Sequence, residues 1–189
     1  MIDFTYGRVA DRIRQFAAES PELIALWFGE DSTTYEELIE RVDQMAKAFI
    51  ANGVRSGDRV AHMGAPRREF VITYLAATSI GAIWQGLNPG YTERELTYVL
   101  NDAQPTLVTA AIIDGGDEIF GTLNRAVGES GLAAKGVQLI NLRDAAEQFL
   151  LSGEQVEDAD LQERYESVDE QDPAIVVYTS GSTGTPKGA

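Results

Sequence analysis

Apolar residues follow two patterns along this chain, and the two patterns alternate. Spacings of three and four residues predict helices that begin near residues 9, 34, 67, 92, 119 and 144. Short continuous apolar runs predict strands over residues 23–28, 59–63, 82–84, 106–109, 137–140 and 174–178. Such strands, separated by helices, are typical of a parallel sheet buried on both faces. The sequence therefore predicts an α/β fold with a mostly parallel, doubly wound sheet and helices on both faces, with ligands at the carboxyl ends of the strands.

Two of the predicted helices begin with a capping box, which marks the first turn. In residues 34–37 and in residues 92–95, a threonine is followed three positions later by a glutamate. The two side chains can satisfy each other's free backbone N–H groups. After the first box, the apolar residues form one helical stripe: Leu38, Val42, Met45 and Phe49.

The composition is that of a folded domain with an excess of acidic groups. The chain has 189 residues, of which 44% are hydrophobic and 24% charged, enough for one domain with a substantial core. Its formal net charge is -15. Because binding to nucleic acid or to anionic lipid requires clustered Lys and Arg, we expect neither of them as a partner.

The sequence predicts no membrane span. The longest nearly apolar stretch, residues 71–84, is interrupted by Thr73, Thr78 and Ser79, and the N-terminus lacks an apolar signal core. The chain also has no cysteine, which excludes disulfides, thiolate metal sites and a cysteine nucleophile. From these observations we expect a cytoplasmic protein.

A glycine- and hydroxyl-rich loop follows the last predicted strand. It reads Tyr178-Thr179-Ser180-Gly181-Ser182-Thr183-Gly184-Thr185-Pro186-Lys187-Gly188. Glycines allow the backbone to approach a ligand closely, the hydroxyls can donate hydrogen bonds, and Lys187 adds a positive charge, so the loop suits a polyphosphate. It is not a Walker A motif, which would require Gly-Lys-Ser/Thr where this chain has Pro186-Lys187-Gly188.

This loop resembles the signature of the adenylate-forming (AMP-binding) superfamily, which includes acyl-CoA synthetases, nonribosomal peptide adenylation domains and luciferases. Further segments resemble the same family in order and spacing: residues 34–38, 53–60, 81–92, 95–96 and 100–105. Leu87-Asn88-Pro89 is most similar to acyl-CoA synthetases such as the AMP-forming fatty-acid CoA ligases. Peptide-synthetase adenylation domains more usually have Asp before that proline, and a second proline where this chain has Thr92.

The resemblance implies a two-step reaction. A carboxylic acid attacks the α-phosphate of Mg-ATP to give an acyl-adenylate and pyrophosphate, and CoA then displaces AMP. The family role of the loop is to hold the β- and γ-phosphates. The residues that the resemblance assigns to phosphate binding are Thr179, Ser180, Gly181, Ser182, Thr183, Gly184 and Lys187.

The later motifs of the family have no counterpart before Ala189. They supply the adenine contacts, the Mg²⁺ ligand, the acyl pocket and the catalytic lysine, so the resemblance places no catalytic and no metal-binding residue in this chain. We expect an N-terminal fragment of an enzyme that uses ATP, Mg²⁺ and CoA, binding none of them tightly alone and inactive by itself. Surface left uncovered in such a fragment is expected to favour self-association.

Two alternatives to an acid-CoA ligase fragment remain: a fragment of an amino-acid adenylation domain, and a nucleotide-binding module without catalysis. In each case, we expect residues 1–189 to form one N-terminal subdomain. Within it, residues 152–172 are interpreted as an acidic, solvated connector, because acidic residues crowd this segment with Arg164 as the one basic residue. Residues 174–189 are interpreted as the terminal strand and the phosphate-binding loop.

Other residues that could carry chemistry have structural explanations. His62 lies in a predicted strand, and no His or Cys shares metal-ligand spacing with it, so we expect a packed structural residue. Trp27 and Trp84 are expected to be core anchors. The adjacent carboxylates of Glu36 and Glu37 belong to the first capping box rather than to an acid/base pair.

Overall fold

The computed structural model describes residues 7–112, 116–179 and 187–189. Within these ranges the helices are α1 (Val9–Glu19), α2 (Tyr35–Ala51), α3 (Arg68–Ser79), α4 (Glu93–Ala103), α5 (Gly116–Glu129), α6 (Leu142–Leu151) and α7 (Asp158–Glu166), with short 3-10 helices at Ala133–Lys135 and Ser152–Gln155. The strands are β1 (Ile24–Phe28), β2 (Asp31–Thr34), β3 (Arg59–Gly64), β4 (Ile83–Leu87), β5 (Leu107–Ala111), β6 (Gln138–Asn141), β7 (Ile175–Val176), β8 (Tyr178–Thr179) and β9 (Lys187–Gly188). None of the helices in these ranges is long and apolar enough to cross a bilayer.

The central sheet has the strand order β6-β5-β3-β4-β7, and all neighbours in it are parallel. β3 lies at its centre, where Val60 pairs with Trp84 of β4 on one side and with Leu107 of β5 on the other. From β3 the chain adds strands on both sides. This arrangement confirms the predicted doubly wound α/β fold.

Helices cover both faces of this sheet, so successive residues of β3 enter different cores. On one face, Val60 packs in a cluster with apolar residues of α2, α3, α6 and α7. On the other face, Ala61 and Met63 pack in a cluster with residues of α4 and α5. Burial on both faces explains why the strands read as continuous apolar runs.

Both predicted capping boxes form. The hydroxyl of Thr34 accepts from the N–H of Glu37 at 3.2 Å, and the Glu37 carboxylate accepts from the N–H of Thr34 at 3.0 Å. Thr92 and Glu95 make the same pair of bonds, of 3.3 and 2.8 Å. The predicted stripe of α2 is buried in the core: Leu38, Val42, Met45 and Phe49. Local sequence is therefore enough to set the start of these two helices.

Strand β1 lies outside the central sheet and pairs antiparallel with β2. Trp27 in this hairpin is 67% exposed, so the expectation that it is a core anchor is wrong. Among the described residues, its side chain lies on the exposed face of the hairpin. Trp84 is 3% exposed, and its indole N–H donates to the Thr73 hydroxyl at 3.3 Å, which confirms it as a core anchor.

The acidic segment 152–172 contains a 3-10 helix and α7. Its carboxylate residues are exposed, whereas Leu161 and Tyr165 are buried in the core that α2 shares. Gly153 packs directly against α2, because a Cβ added there would lie 2.6 Å from the backbone nitrogen of Ala48. The segment is therefore solvated on one side and packed on the other. The sequence did not indicate α7, since few apolar positions stand among its charges.

A polar cluster joins α1 to α2 and α7. Asp43 of α2 accepts hydrogen bonds from the Tyr165 hydroxyl at 2.6 Å and from the Arg14 guanidinium at 2.5 Å. The guanidinium also lies over the Tyr165 ring, 3.9 Å from its centroid. Burial, followed by the Asp43 carboxylate, raises the pKa of Tyr165, so its hydroxyl stays a proton donor.

Candidate functional site

The parallel strands of the central sheet end at one common edge. β3, β4 and β7 end there at Gly64, Leu87 and Val176, and β8 follows directly after β7. In open α/β sheets, ligands bind outside this carboxyl edge. The loop that the sequence assigns to phosphate binding therefore leaves the sheet at the edge where a ligand is expected.

β8 and β9 hold the two ends of this loop side by side. They pair antiparallel, and Thr179 lies opposite Lys187. One step further from the loop, Val177 and Ala189 exchange backbone hydrogen bonds, each of 3.0 Å. Thr179 and Lys187 are exposed, so a hydroxyl and an ammonium group are accessible together.

Of the predicted phosphate contacts, Thr179 and Lys187 are the ones that the structure describes. The others lie outside the described residues: Ser180, Gly181, Ser182, Thr183 and Gly184. Their contact with phosphate stays a prediction.

Tyr178, at the start of the loop, is anchored through its hydroxyl. The hydroxyl donates to the carboxylate of Asp102, near the end of α4, at 2.5 Å. Tyr178 is 7% exposed and belongs to the core that α4 and α5 share. Burial, followed by the hydrogen bond to Asp102, raises the pKa of Tyr178, so the group remains a neutral donor.

The backbone of Tyr178 is held from a second direction. The Tyr91 hydroxyl donates to the carbonyl oxygen of Tyr178 at 3.0 Å. Tyr91 is positioned by the turn after β4, in which its N–H donates to the carbonyl of Asn88 at 3.0 Å and the Asn88 side chain accepts from Gly90 at 2.8 Å. The segment 88–91, which carries part of the family resemblance, thus supports the start of the loop.

Gly188 lies against the Tyr178 ring. The two residues are opposite each other in the β8–β9 pair, and a Cβ added at Gly188 would lie 3.0 Å from Cζ of the ring. Contacts this close are rare for a real Cβ atom, so a side chain here would displace the ring. This is a structural reason for glycine after Lys187.

Local sequence patterns predict no individual role for Tyr91, Asp102 or Gly188. Each lies in a segment that carries the resemblance, which is the one signal that marks them. Their roles depend on contacts with Tyr178, and the two hydrogen bonds join residues 76 and 87 positions apart. Local patterns carry no information on pairs so distant in the chain.

Thr179 and Lys187 are the described residues that the resemblance assigns to phosphate. A threonine hydroxyl and a lysine ammonium group are donors to phosphate oxygens, and the charged donor makes the stronger bond. Within residues 7–112, 116–179 and 187–189, no group of three His, Asp or Glu side chains could hold a metal ion.

His62 lies in the core and not at this site. It is fully buried in β3, and its Nδ1 lies 2.9 Å from the Thr109 hydroxyl, which donates to the carbonyl of Ala61 at 3.3 Å. Desolvation lowers the pKa of His62 to about 4, so the ring is neutral near pH 7. The expectation of a packed structural histidine is confirmed.

Comparison with known proteins identifies relatives of two kinds. A family model described as "AMP-binding enzyme" matches residues 5–189. Tyrocidine synthase 3 of Brevibacillus parabrevis is 29% identical over 181 residues, which cover 96% of this chain and 2% of that protein. Acyl-CoA ligase sidI of Aspergillus fumigatus is 30% identical over 176 residues, which cover 88% of this chain and 30% of that protein.

A solved structure shares the fold. VinN matches with a TM-score of 0.78 and 24% identity, over 98% of this chain and 44% of the VinN chain. The chain therefore spans less than half of VinN and less than a third of either curated relative.

Proposed function

Because the chain belongs to the AMP-binding enzyme family, we propose that it supplies the pyrophosphate-holding part of an AMP-forming acid-CoA ligase. In this reaction a carboxylic acid and ATP give an acyl-adenylate and pyrophosphate, and CoA then accepts the acyl group and releases AMP. The acid pocket, the adenine contacts, the metal ligands and the catalytic lysine of such a ligase then lie outside this chain. It follows that the chain alone is inactive.

The position of Lys187 carries this proposal. Lys187 lies opposite Thr179, in a hairpin that directly follows β7 at the carboxyl edge of the sheet. The resemblance assigns these residues to the β- and γ-phosphates. Because they lie opposite each other, one charged and one neutral donor are side by side on the hairpin. A flexible glycine-rich linker would not need its two ends to pair as β8 and β9 do.

The chain's own contribution to the first step is to bind and orient the leaving group. When the carboxylate attacks, the bond between the α-phosphorus and the bridging oxygen breaks, and negative charge grows on the pyrophosphate. Lys187 stabilises this charge electrostatically, and Thr179 donates a hydrogen bond that fixes the orientation of the phosphates.

The CoA ligase is favoured over an amino-acid adenylation domain by two positions. Asn88 stands before Pro89, and Thr92 stands where adenylation domains more usually have a second proline. Thr92 caps α4 with its hydroxyl, a role that proline cannot fill. The adenylation domain remains the second candidate, because peptide synthetases such as tyrocidine synthase 3 are among the relatives.

Phosphate binding can be tested on the chain itself. We expect sodium pyrophosphate, titrated into ¹⁵N-labelled chain, to shift the amide signals of Thr179 and Lys187 in a saturable way. In Lys187→Ala the affinity should fall about tenfold or more, since a hydrogen bond to a charged group contributes about 1.5–3 kcal/mol.

Lys47→Ala is the matched control for this titration. Lys47 lies on α2 and pairs with Asp158 at 2.6 Å, so its removal should leave the affinity for pyrophosphate unchanged. Equal affinity in the unsubstituted chain and in both variants would contradict the assignment of Lys187.

The reaction is tested with the protein that the complete reading frame encodes. ATP–pyrophosphate exchange with a panel of fatty, aromatic and amino acids reports the first step, and consumption of free CoA thiol reports the second. Exchange with a non-amino acid together with thiol consumption supports the ligase. Exchange with an amino acid and no use of CoA supports the adenylation domain, and nucleotide binding without exchange supports a non-catalytic module.

A further inference from the structure

Tyr178 connects the predicted phosphate loop to the body of the fold. We propose that the hydrogen bond between Tyr178 and Asp102 is a positioning contact, which keeps β8 paired with β9 and so sets the place of Lys187. The consequence for phosphate binding rests on the function proposed above, whereas the effect on strand pairing does not.

Three groups hold Tyr178 from three directions. Its hydroxyl donates to Asp102 at 2.5 Å, and its carbonyl oxygen accepts from the Tyr91 hydroxyl at 3.0 Å. Its ring lies against Gly188, where an added Cβ would be 3.0 Å from Cζ. The side chain is 7% exposed. These contacts restrict the rotation of the Tyr178 side chain.

The β8–β9 pair needs support from outside itself. Each strand has two residues, and isolated two-stranded hairpins are marginal in water even when they are longer. Residues 180–186 lie between the strands, so closing the loop also costs conformational entropy. The ladder alone is therefore too short to fix Lys187 opposite Thr179.

Helix α4 supplies that support from both of its ends. Tyr91 comes directly before the N-cap residue Thr92, and Asp102 is in the last turn. Between them, Leu96 and Val99 are buried in the core with α5. Because α4 is fixed by its core face, the two groups that it presents to Tyr178 are fixed as well.

Among the described side chains, Tyr178 is the hydrogen-bond partner of the Asp102 carboxylate. This bond accounts for the orientation of Asp102 towards β8. Arg59 is the basic residue whose charge acts on Tyr178, while its guanidinium donates to the carbonyls of Ala103 and Gln104 at 2.7 and 2.9 Å. The carboxylate is thus free to accept from Tyr178 with one oxygen, which makes a charge-assisted and short hydrogen bond.

The chain contains a matched control for this contact. Tyr165 donates to Asp43 at 2.6 Å, is also 7% exposed and lies in the core on the opposite face of the sheet. Tyr178→Phe and Tyr165→Phe each remove one hydroxyl from one aspartate and leave the ring in place. If the Tyr178 hydroxyl contributed only to general stability, the two variants would show the same hydrogen exchange at β8 and β9.

The first measurement is amide hydrogen exchange in the full chain. In Tyr178→Phe, we expect the amides of Val177 and Ala189, which bond across the β8–β9 ladder, to exchange about tenfold faster or more. In Tyr165→Phe, these amides should exchange as in the unsubstituted chain after correction for global stability. Equal exchange in the two variants would refute the positioning role.

A double-mutant cycle assigns the effect to the pair. Asp102→Ala should speed exchange at Val177 and Ala189 by about the same factor as Tyr178→Phe, and the double variant should be no faster than either single one. Additive effects would mean that Tyr178 and Asp102 act separately, which overturns the proposal.

The second measurement is the affinity for sodium pyrophosphate and ATP. Tyr178→Phe should weaken binding about tenfold, and Tyr165→Phe should not. If exchange responds as expected but the unsubstituted chain binds neither probe, then the proposed function fails and the positioning of β9 by Tyr178 stands. If binding is present and both tyrosine variants bind and exchange like the unsubstituted chain, then the positioning role fails and the proposed function stands.

Discussion

At the scale of single residues, His62 shows how burial sets a side chain's chemistry. It is the only histidine in the chain, and it sits fully buried between β5 and the aromatic rings of Phe70 and Trp84, whose centroids are 6.0 and 6.3 Å from that of His62. Desolvation by this burial lowers its pKa. Neutral imidazole is therefore part of the folded state.

This burial predicts a loss of stability in mild acid. The pKa of His62 is about 4 in the folded chain and 6.5 for an ordinary histidine, so the unfolded chain binds more protons between these values. The contribution is fully present above pH 6.5 and is lost as the pH falls towards 4, by about 3 kcal/mol in total. Urea unfolding across this range should show that slope.

His62→Gln serves as the control, since glutamine does not titrate. The difference in unfolding free energy between the two chains should shrink as the pH falls through this window. If both chains lose stability in parallel, or if NMR finds His62 titrating near 6.5 in the folded chain, burial does not control its protonation.

At the scale of elements, the contact between α2 and the 3-10 helix at Ser152–Gln155 fixes the acidic segment to the fold. Gly153 sits on the backbone of α2 so closely that a Cβ would lie 2.6 Å from the Ala48 nitrogen and 2.8 Å from the Lys47 carbonyl carbon. Neither atom can move without distorting the helix. The charges of the segment therefore face solvent while its backbone packs against α2.

Gly153→Ala should destabilise the chain by about 1–3 kcal/mol, the usual cost of forcing extra volume into a packed contact. Gly128→Ala is the matched control, because Gly128 lies in α5 and a Cβ there meets nothing within 4 Å. That variant should gain up to about 1 kcal/mol of helix propensity. Denaturant unfolding of both variants measures the difference, and a neutral Gly153→Ala would show that the contact is loose.

At the scale of the whole molecule, the sheet ends on one side in a short, apolar edge strand. In the described ranges, β7 pairs with β4 on one side and is the last strand in that direction. Ile175 in β7 is 46% exposed. Unpaired strand edges with apolar side chains tend to pair with other chains.

We therefore predict that the chain self-associates through this edge and that Ile175→Lys shifts it towards monomer. Val9→Lys is the matched control, because Val9 is 47% exposed but lies on α1, where it offers no strand edge. Light scattering after size-exclusion chromatography, over a range of concentrations, measures the association. A monomer at all concentrations, or an equal response to both substitutions, contradicts this prediction.

Prediction from sequence succeeded where the decisive interactions are local. The caps at Thr34 and Thr92 satisfy backbone groups within one turn, and the period of the apolar residues follows from which faces are buried. It failed for Trp27, because the alternation within a strand does not tell whether a second layer covers the outer face. It also missed α7, because the packing of Leu161 and Tyr165 in the core, rather than intrinsic helix propensity, stabilises this helix.

The sequence by itself determined the fold class, the starts of the capped helices and the loop that marks the family, since each depends on residue types at short, regular spacings. Tertiary structure alone decided that Tyr91, Asp102 and Gly188 converge on Tyr178, and that Thr179 and Lys187 face each other. These contacts join residues far apart in the chain, and their partners become neighbours only after the sheet and α4 have packed. The motif indicates which ligand chemistry to expect, and the packing beneath it decides where the charge of Lys187 is held.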